Sequence, residues 1–297
     1  FEIFGAKQRF EVDPVHWLEE WLRSNGLRPA STLRWLMAGG YSGDIVAEWE
    51  VGDTRFAGRY VTFKAGSRLF VASCRSAREN YPRVADDFFL ALTQFRPAKE
   101  DPGPLSEPVT SASGDEPVSW KLYLPASWTL TEVDNEGPSG TIQAVARPPE
   151  GDDPIATAAS TPFPGAPEAP PGSWDESTWN AQLSATLAPA SRISGWDAAE
   201  SLCVSTLRDA GLELEDRKFV EEPPLGPFES SKSLATAARL RGVPGADVRC
   251  RVARAGLVWF VSAVVGVARN VNPHAWMRNA RAHDLVAQSA ELRLEEA

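Results

Sequence analysis

The side chains able to do chemistry are few and scattered. The chain has three histidines, His16, His274 and His283; His16 has Glu19 and Glu20 at helical spacing, and His283 has Asp284 beside it. A metal centre needs ligands that converge at set spacings, and no His-Glu-x-x-His or Asp-x-Asp-x-Asp pattern is present. No Gly-x-Ser-x-Gly elbow or dinucleotide fingerprint occurs either. Gly39-Gly40-Tyr41-Ser42-Gly43 lacks the Gly-Lys-Ser/Thr and the helix that a phosphate cradle requires, so it reads as a turn. Cys74, Cys203 and Cys250 cannot all pair within one chain and none forms a Cys-x-x-Cys, so they read as small buried hydrophobes. The expectation is therefore no catalytic residue, no metal and no cofactor.

Charge is more informative. From Arg239 to Arg281 there are arginines at 239, 241, 249, 251, 254, 269, 278 and 281 against a single acid, Asp247, while Asp209 to Glu222 is largely acidic. Arg249 and Arg251 share one side of a strand by period two. One reading is a solvated sheet face paired with the acidic stretch. The sharper reading is a partner-docking patch of Arg249, Arg251, Arg254 and Arg269, since the guanidinium fork bonds carboxylates bidentately. Among eleven tryptophans, Trp17, Trp21, Trp120 and Trp128 are spaced as core. Trp35, Trp174 and Trp196 fall in loops or helix starts, where they could anchor an interface or join the core.

The elements that must carry these residues follow from pattern. Asp13-Pro14 starts a helix with Trp17, Leu18, Trp21 and Leu22 on its apolar face, stopped by Asn25-Gly26. Phe1 to Phe10 suits a short edge strand, and alternation at Ile45 to Val51, Tyr60 to Phe63 and Leu69 to Ser73 reads as a meander around Ala65-Gly66. Pro82 opens a helix with Val84, Phe88, Leu92 and Phe95 on one face. Residues 98–117, rich in Pro, Ser, Gly and acids, read as a linker between domains at 1–97 and 118–297.

In the second domain Trp120, Leu122 and Leu124 alternate with Lys121 and Tyr123, the period of a half-buried strand. Strands are expected at Thr141 to Ala146, Ile155 to Ser160, Leu234 to Leu240, Asp247 to Arg254 and Leu257 to Val265, with a Pro-rich loop from Pro162 to Pro171. Helices are expected over Trp179, Leu183 and Leu187, over Ala198, Leu202 and Leu207, and after Pro273.

The chain also matches itself. Arg59, Ala65, Gly66, Phe70, Val71 and Asn80 recur 190 residues on as Arg249, Ala255, Gly256, Phe260, Val261 and Asn270, and Leu22-Arg23 with Gly26-Leu27 recurs as Leu207-Arg208 with Gly211-Leu212. The same order of helix, cap, strands, turn and Pro-started helix appears twice, the signature of a duplicated module.

Net charge of −10 over 297 residues argues against general nucleic-acid binding, which needs a basic surface. No apolar run reaches the length of a membrane span. The chain starts at Phe1, either a mature end or a fragment, so a targeting peptide would not be seen.

The run Trp120-Lys121-Leu122-Tyr123-Leu124-Pro125-Ala126-Ser127-Trp128 resembles the aromatic-Lys-apolar-apolar-apolar-Pro-x-x-Trp opening of the PsbP-like family. Gly66 to Cys74, leading through Tyr81 to Thr93-Gln94-Phe95, and Trp259 to Ala263 with Trp276, are similar to that family's closing hairpin and terminal helix. The resemblance implies an α+β fold, an antiparallel sheet with helices on both faces, present as two tandem domains, the first abbreviated. It implies a non-catalytic subunit or assembly factor at the lumenal face of a photosystem, peripheral to the thylakoid membrane, with core or antenna proteins as partners. The tandem arrangement and the lack of a basic N-terminal arm depart from the oxygen-evolution protein itself. The same fold implies an alternative, a bacterial DcrB-like or secretion-effector chaperone that binds a protein client in cytoplasm or periplasm.

Overall fold

The computed structural model describes residues 2–8, 10–37, 40–65, 68–93, 105–115, 119–134, 139–146 and 176–293. It is a mixed α/β chain with antiparallel sheets, and it divides into two compact units, Phe1–Glu107 and Pro108–Pro149 with Trp174–Ala297.

In the first unit β1 (Glu2–Lys7) is followed by α1 (Pro14–Ser24), the strands β2 (Arg28–Met37), β3 (Gly40–Val51), β4 (Thr54–Ala65) and β5 (Arg68–Ala77), and α2 (Tyr81–Thr93). The strands lie in the order β1-β5-β4-β3-β2. Helix α1 begins where expected because the Asp13 carboxylate accepts from the His16 amide at 2.9 Å and Pro14 needs no partner for an amide. Its inner face stacks Trp17 on Trp21, centroids 6.3 Å apart, and Trp21 meets the buried Tyr60 of β4. The next residue on β4, Val61, points the other way by the pleat and packs with Ala72, Cys74, Leu92 and Phe88, the last two from α2. Gly40 to Gly43 is not a turn: it opens β3, and a Cβ on Gly43 would stand 3.2 Å from the Val15 Cα. The glycine lets helix and strand approach. Phe95 and Gly39 lie outside the described residues.

In the second unit β6 (Val109–Gly114) pairs β7 (Ser119–Pro125), so residues 109–114 are strand rather than tether. Composition misled there, because Ser, Thr and Ala serve a strand whose outer face is solvated: Ala112 and Gly114 are buried and their neighbours are not. The next elements are β8 (Trp128–Asp134), β9 (Gly140–Ala146), a 3₁₀ turn (Glu176–Trp179), β10 (Ala181–Pro189) and α3 (Trp196–Asp209). They are followed by β11 (Leu212–Leu214), β12 (Val220–Glu222), β13 (Ser230–Leu240), β14 (Val243–Ala255), β15 (Val258–Val267), α4 (Pro273–Gln288) and β16 (Glu291–Arg293). One sheet runs β11-β13-β14-β15-β10-β9-β8 and a second runs β16-β7-β6. The helix expected over Leu183 and Leu187 is instead β10. A spacing of four fits both periods, and the buried set Ala181, Leu183, Ala185 and Leu187 decides for period two. The strand expected at 155–160 and the loop at 162–171 lie outside the described residues.

The two units follow one path. With strands taken in chain order, β10, β11, β13, β14 and β15 repeat the spatial order of β1, β2, β3, β4 and β5, and α3 and α4 fall where α1 and α2 do. The closing hairpin repeats its register too: Arg59 faces Cys74 and Ala65 faces Arg68, while 190 residues on Arg249 faces Val264 and Ala255 faces Val258.

Trp120, Leu122 and Leu124 of β7 are buried, as the alternation requires. Trp120 lies on the backbone of Gly140, where an added Cβ would stand 2.3 to 2.8 Å from three ring atoms. Gly140→Ala must therefore move a buried indole, and denaturant unfolding should show a loss of about 1–3 kcal/mol. An unchanged midpoint would show that the ring is free to shift.

Candidate functional site

Helix α4 carries the polar residues nearest to chemistry, and it is covered along its length. Asn272 caps it, its side chain accepting from the amides of His274 and Ala275 at 3.1 and 3.0 Å, and Pro273 occupies the first turn. It touches β15, β14 and β10 on one side and β7 on the other, so Arg278, Asn279, Arg281, His283 and Asp284 are all buried. Each is held by the protein itself. The Arg251 guanidinium donates to Asp284 at 2.8 Å and to Glu222 at 3.3 Å. The His283 Nε2 lies 2.9 Å from the Ser262 hydroxyl. Arg278 sits against the rings of Trp128 and Trp179 and donates to the Trp179 carbonyl. Arg281 donates to Gln288 at 2.9 Å.

Ser262, His283 and Asp284 are the residue types of an acyl-transfer triad, and Ser262 with His283 has the nucleophile–base distance. The remaining geometry does not follow. Asp284 binds Arg251, and adjacent helical residues face apart. Ser262 and His283 are 1% and 3% exposed, which leaves a substrate no approach. Burial, reinforced by the Arg251 charge, lowers the His283 pKa to about 3, so the imidazole is neutral at physiological pH. The pair is a clamp between α4 and β15.

The arginine patch is not one surface. Arg251 is 3% exposed and spent on Asp284 and Glu222, which removes it from docking. Arg249, on the same side of β14, lies 4.3 Å from the Trp276 centroid, and Arg269 covers the same ring at 4.9 Å. The Trp276 indole donates to Asp247 at 2.8 Å, and burial raises the Asp247 pKa against the pull of Arg249 and that bond. Arg254 lies with Trp259, 5.7 Å from its ring, on the other side of the strand and is exposed. The period of two was read correctly, but the side it pointed to is roofed by α4.

The tryptophans separate similarly. Trp196 opens α3, meets Trp259 edge-on at 5.0 Å with the Lys232 ammonium 5.0 Å above, and borders the core as a half-buried ring. Trp35 lies in β2 opposite Ser42, and Trp174 lies outside the described residues.

The open feature is a cleft of about 730 Å³ in the second unit. It exists because the sheet runs on through β10, β9 and β8 while α3 covers β11, β14 and β15. Its floor is the outward row of these strands, with Ser184 opposite Gln143 and Thr186 opposite Thr141, the last two hydroxyls 3.2 Å apart. Leu202 and Thr206 of α3 form the wall and Arg192 lies at the rim. The expectation of a helix carrying Trp179, Leu183 and Leu187 hid this floor. The signal was the alternation of Gln182, Ser184 and Thr186 with apolar residues.

Among the described residues no group of three or more His, Cys, Asp or Glu converges as a metal site, and no helix is long and apolar enough to cross a membrane. No family model matches the chain, and no curated protein matches it. Among solved structures it is similar to LpqN, described as involved in cell envelope biogenesis of Mycobacterium tuberculosis, at 13% identity over 63% of this chain and 92% of that one, TM-score 0.29. It is similar to the Tle4–Tli4 complex at 11% identity over 96% of this chain and 92% of that one, TM-score 0.26. It is similar to the immunity protein TplEi of type VI secretion from Pseudomonas aeruginosa at 13% identity over 98% and 91%, TM-score 0.23. Likeness at this level assigns neither family nor function.

The unfolded imidazole titrates near 6.5, and folded His283 stays neutral down to about pH 3. Above pH 6.5 neither state binds the proton. Below it only the unfolded chain does, so stability falls as pH drops through this window, by at most about 1.4 kcal/mol per unit. Urea unfolding between pH 7 and 4 should show a flatter decline for His283→Gln than for the wild type; equal slopes would clear His283 as the cause.

Asp284→Ala removes a partner from a buried guanidinium and should cost about 3–5 kcal/mol in the same assay. A loss under 1 kcal/mol would mean that Glu222 alone satisfies Arg251.

Proposed function

We propose that this chain is a non-catalytic docking protein made of two tandem PsbP-like modules, and that the second module receives an extended segment of a partner protein in the cleft beside α3. The observation that carries this reading is the cleft itself. Its floor is open and carries hydroxyl and amide groups at strand spacing beside the apolar Val261, Ala263 and Val265, a surface that offers donors and acceptors to a peptide backbone and apolar contact to its side chains. The floor runs out to β8, the last strand of this sheet's path among the described residues, where Thr131 to Asp134 are exposed and an added strand would lie alongside.

The repeated path supports the tandem module, and the acidic balance speaks against nucleic acid as the partner. By the family resemblance the partner is a photosystem core or antenna protein at the lumenal face of the thylakoid, with the protein peripheral to the membrane. The DcrB-like alternative replaces it with a bacterial protein client.

Ser184→Trp fills the floor without touching the buried faces of β10. With circular dichroism unchanged, the variant should bind detergent-solubilised photosystem at least about 10-fold more weakly than the wild type on native gels, a change of about 1.4 kcal/mol. A wild type that does not co-migrate removes the photosystem as partner. Equal binding by both proteins removes the cleft as the docking site.

A further inference from the structure

Two of the three cysteines, Cys203 and Cys250, share one buried core and are free thiols in this structure. Cys203 lies on the inner row of α3 with Ala199 and Leu207, and Cys250 lies at the middle of β14 between Val248 and Val252; all six belong to one core cluster. The Cys203 thiol reaches the Ser262 carbonyl on β15 at 3.9 Å, and β14 is registered so that Cys250 stands opposite Ala263, the next residue. This puts both side chains in the layer between α3 and the sheet, beside the same two residues of β15, and the neighbouring Cys203 thiol together with burial raises the Cys250 pKa. Cys74 belongs to the core of the first unit, beside Val61 and Leu92.

We infer that Cys203 and Cys250 are a native disulfide pair, closed when the chain folds in the presence of a disulfide oxidant and joining α3 to the sheet beneath it. The balance is a double exchange. The thiolate of one cysteine attacks a sulfur of the oxidant, forming a mixed disulfide and releasing one oxidant thiolate. The second cysteine then attacks the first, closing the internal bond and releasing the other oxidant thiolate. The two cysteine protons pass to the released thiolates, so two thiols are oxidised and one disulfide is reduced. Cys203 and Cys250 are 2% and 0% exposed, so the exchange takes place before α3 seats, and the seated helix then screens the bond from reductant. The bridge closes a long loop through β11, β12 and β13 and withholds its freedom from the unfolded chain. Cys203 also borders the cleft, but the bridge is read by peptide mapping and not by partner binding, so it stands or falls apart from the docking reading.

The test uses the full chain, reduced and unfolded, then refolded in a mixture of oxidised and reduced glutathione. Peptide mapping should find Cys203 joined to Cys250 with Cys74 free, and the oxidised protein should unfold about 5–10 °C above the reduced one. Cys74→Ala should keep the linked peptide and Cys250→Ala should lose it. All three thiols open to alkylation after denaturation, a bridge that includes Cys74, or an oxidised form that unfolds no later than the reduced form would each overturn the assignment.

Discussion

The second unit depends on a charged pair placed where water does not reach. Arg251 and Asp284 meet at 2.8 Å between β14 and α4, with Glu222 as a third member. Desolvating two ions costs several kcal/mol each, and their attraction returns this only in good geometry, so the pair adds little net stability. It adds position instead. A sliding or rotated α4 would leave an ion buried alone, and this penalty ties one turn of the helix to one residue of the sheet. The neighbouring contacts act in the same way: His283 on Ser262, Arg278 on the Trp179 carbonyl, and Asn279 against the backbone of Gly266 on β15.

A helix buried on two sides explains the other departures from amphipathic expectation. Because α4 lies between two sheets, it has no solvated face on which to carry charge. Its polar residues are Arg, His, Asn, Asp and a final Gln, and it contains neither Lys nor Glu, the residues that normally populate a wet helix face. In the first unit α2 covers a single sheet and follows the ordinary rule, with Phe88 and Leu92 turned to Val61 and Cys74. One path thus yields two helices of different character, according to whether a second sheet is laid over the outer side. The cleft has a parallel origin, since the sheet of the second unit grew past the reach of α3 and left polar strand faces without a roof.

What the chain determined by itself was local. Caps at Asp13 and Asn272, the proline starts at Pro14 and Pro273, the alternation in β7 and β14 and the recurrence of the closing hairpin are all contacts between near neighbours, where residue type and period suffice. Tertiary structure decided which side of each period faces protein. Arg249 and Arg251 share a side whether that side is wet or roofed, and only the placement of α4 made it an interior. Leu183 and Leu187 fit helix and strand alike, and pairing with β9 and β15 chose the strand. Cys203 and Cys250 are far apart along the chain, and the seating of α3 on β14 brings them together. Periodicity specifies direction around an element, while burial is a property of the neighbours it meets.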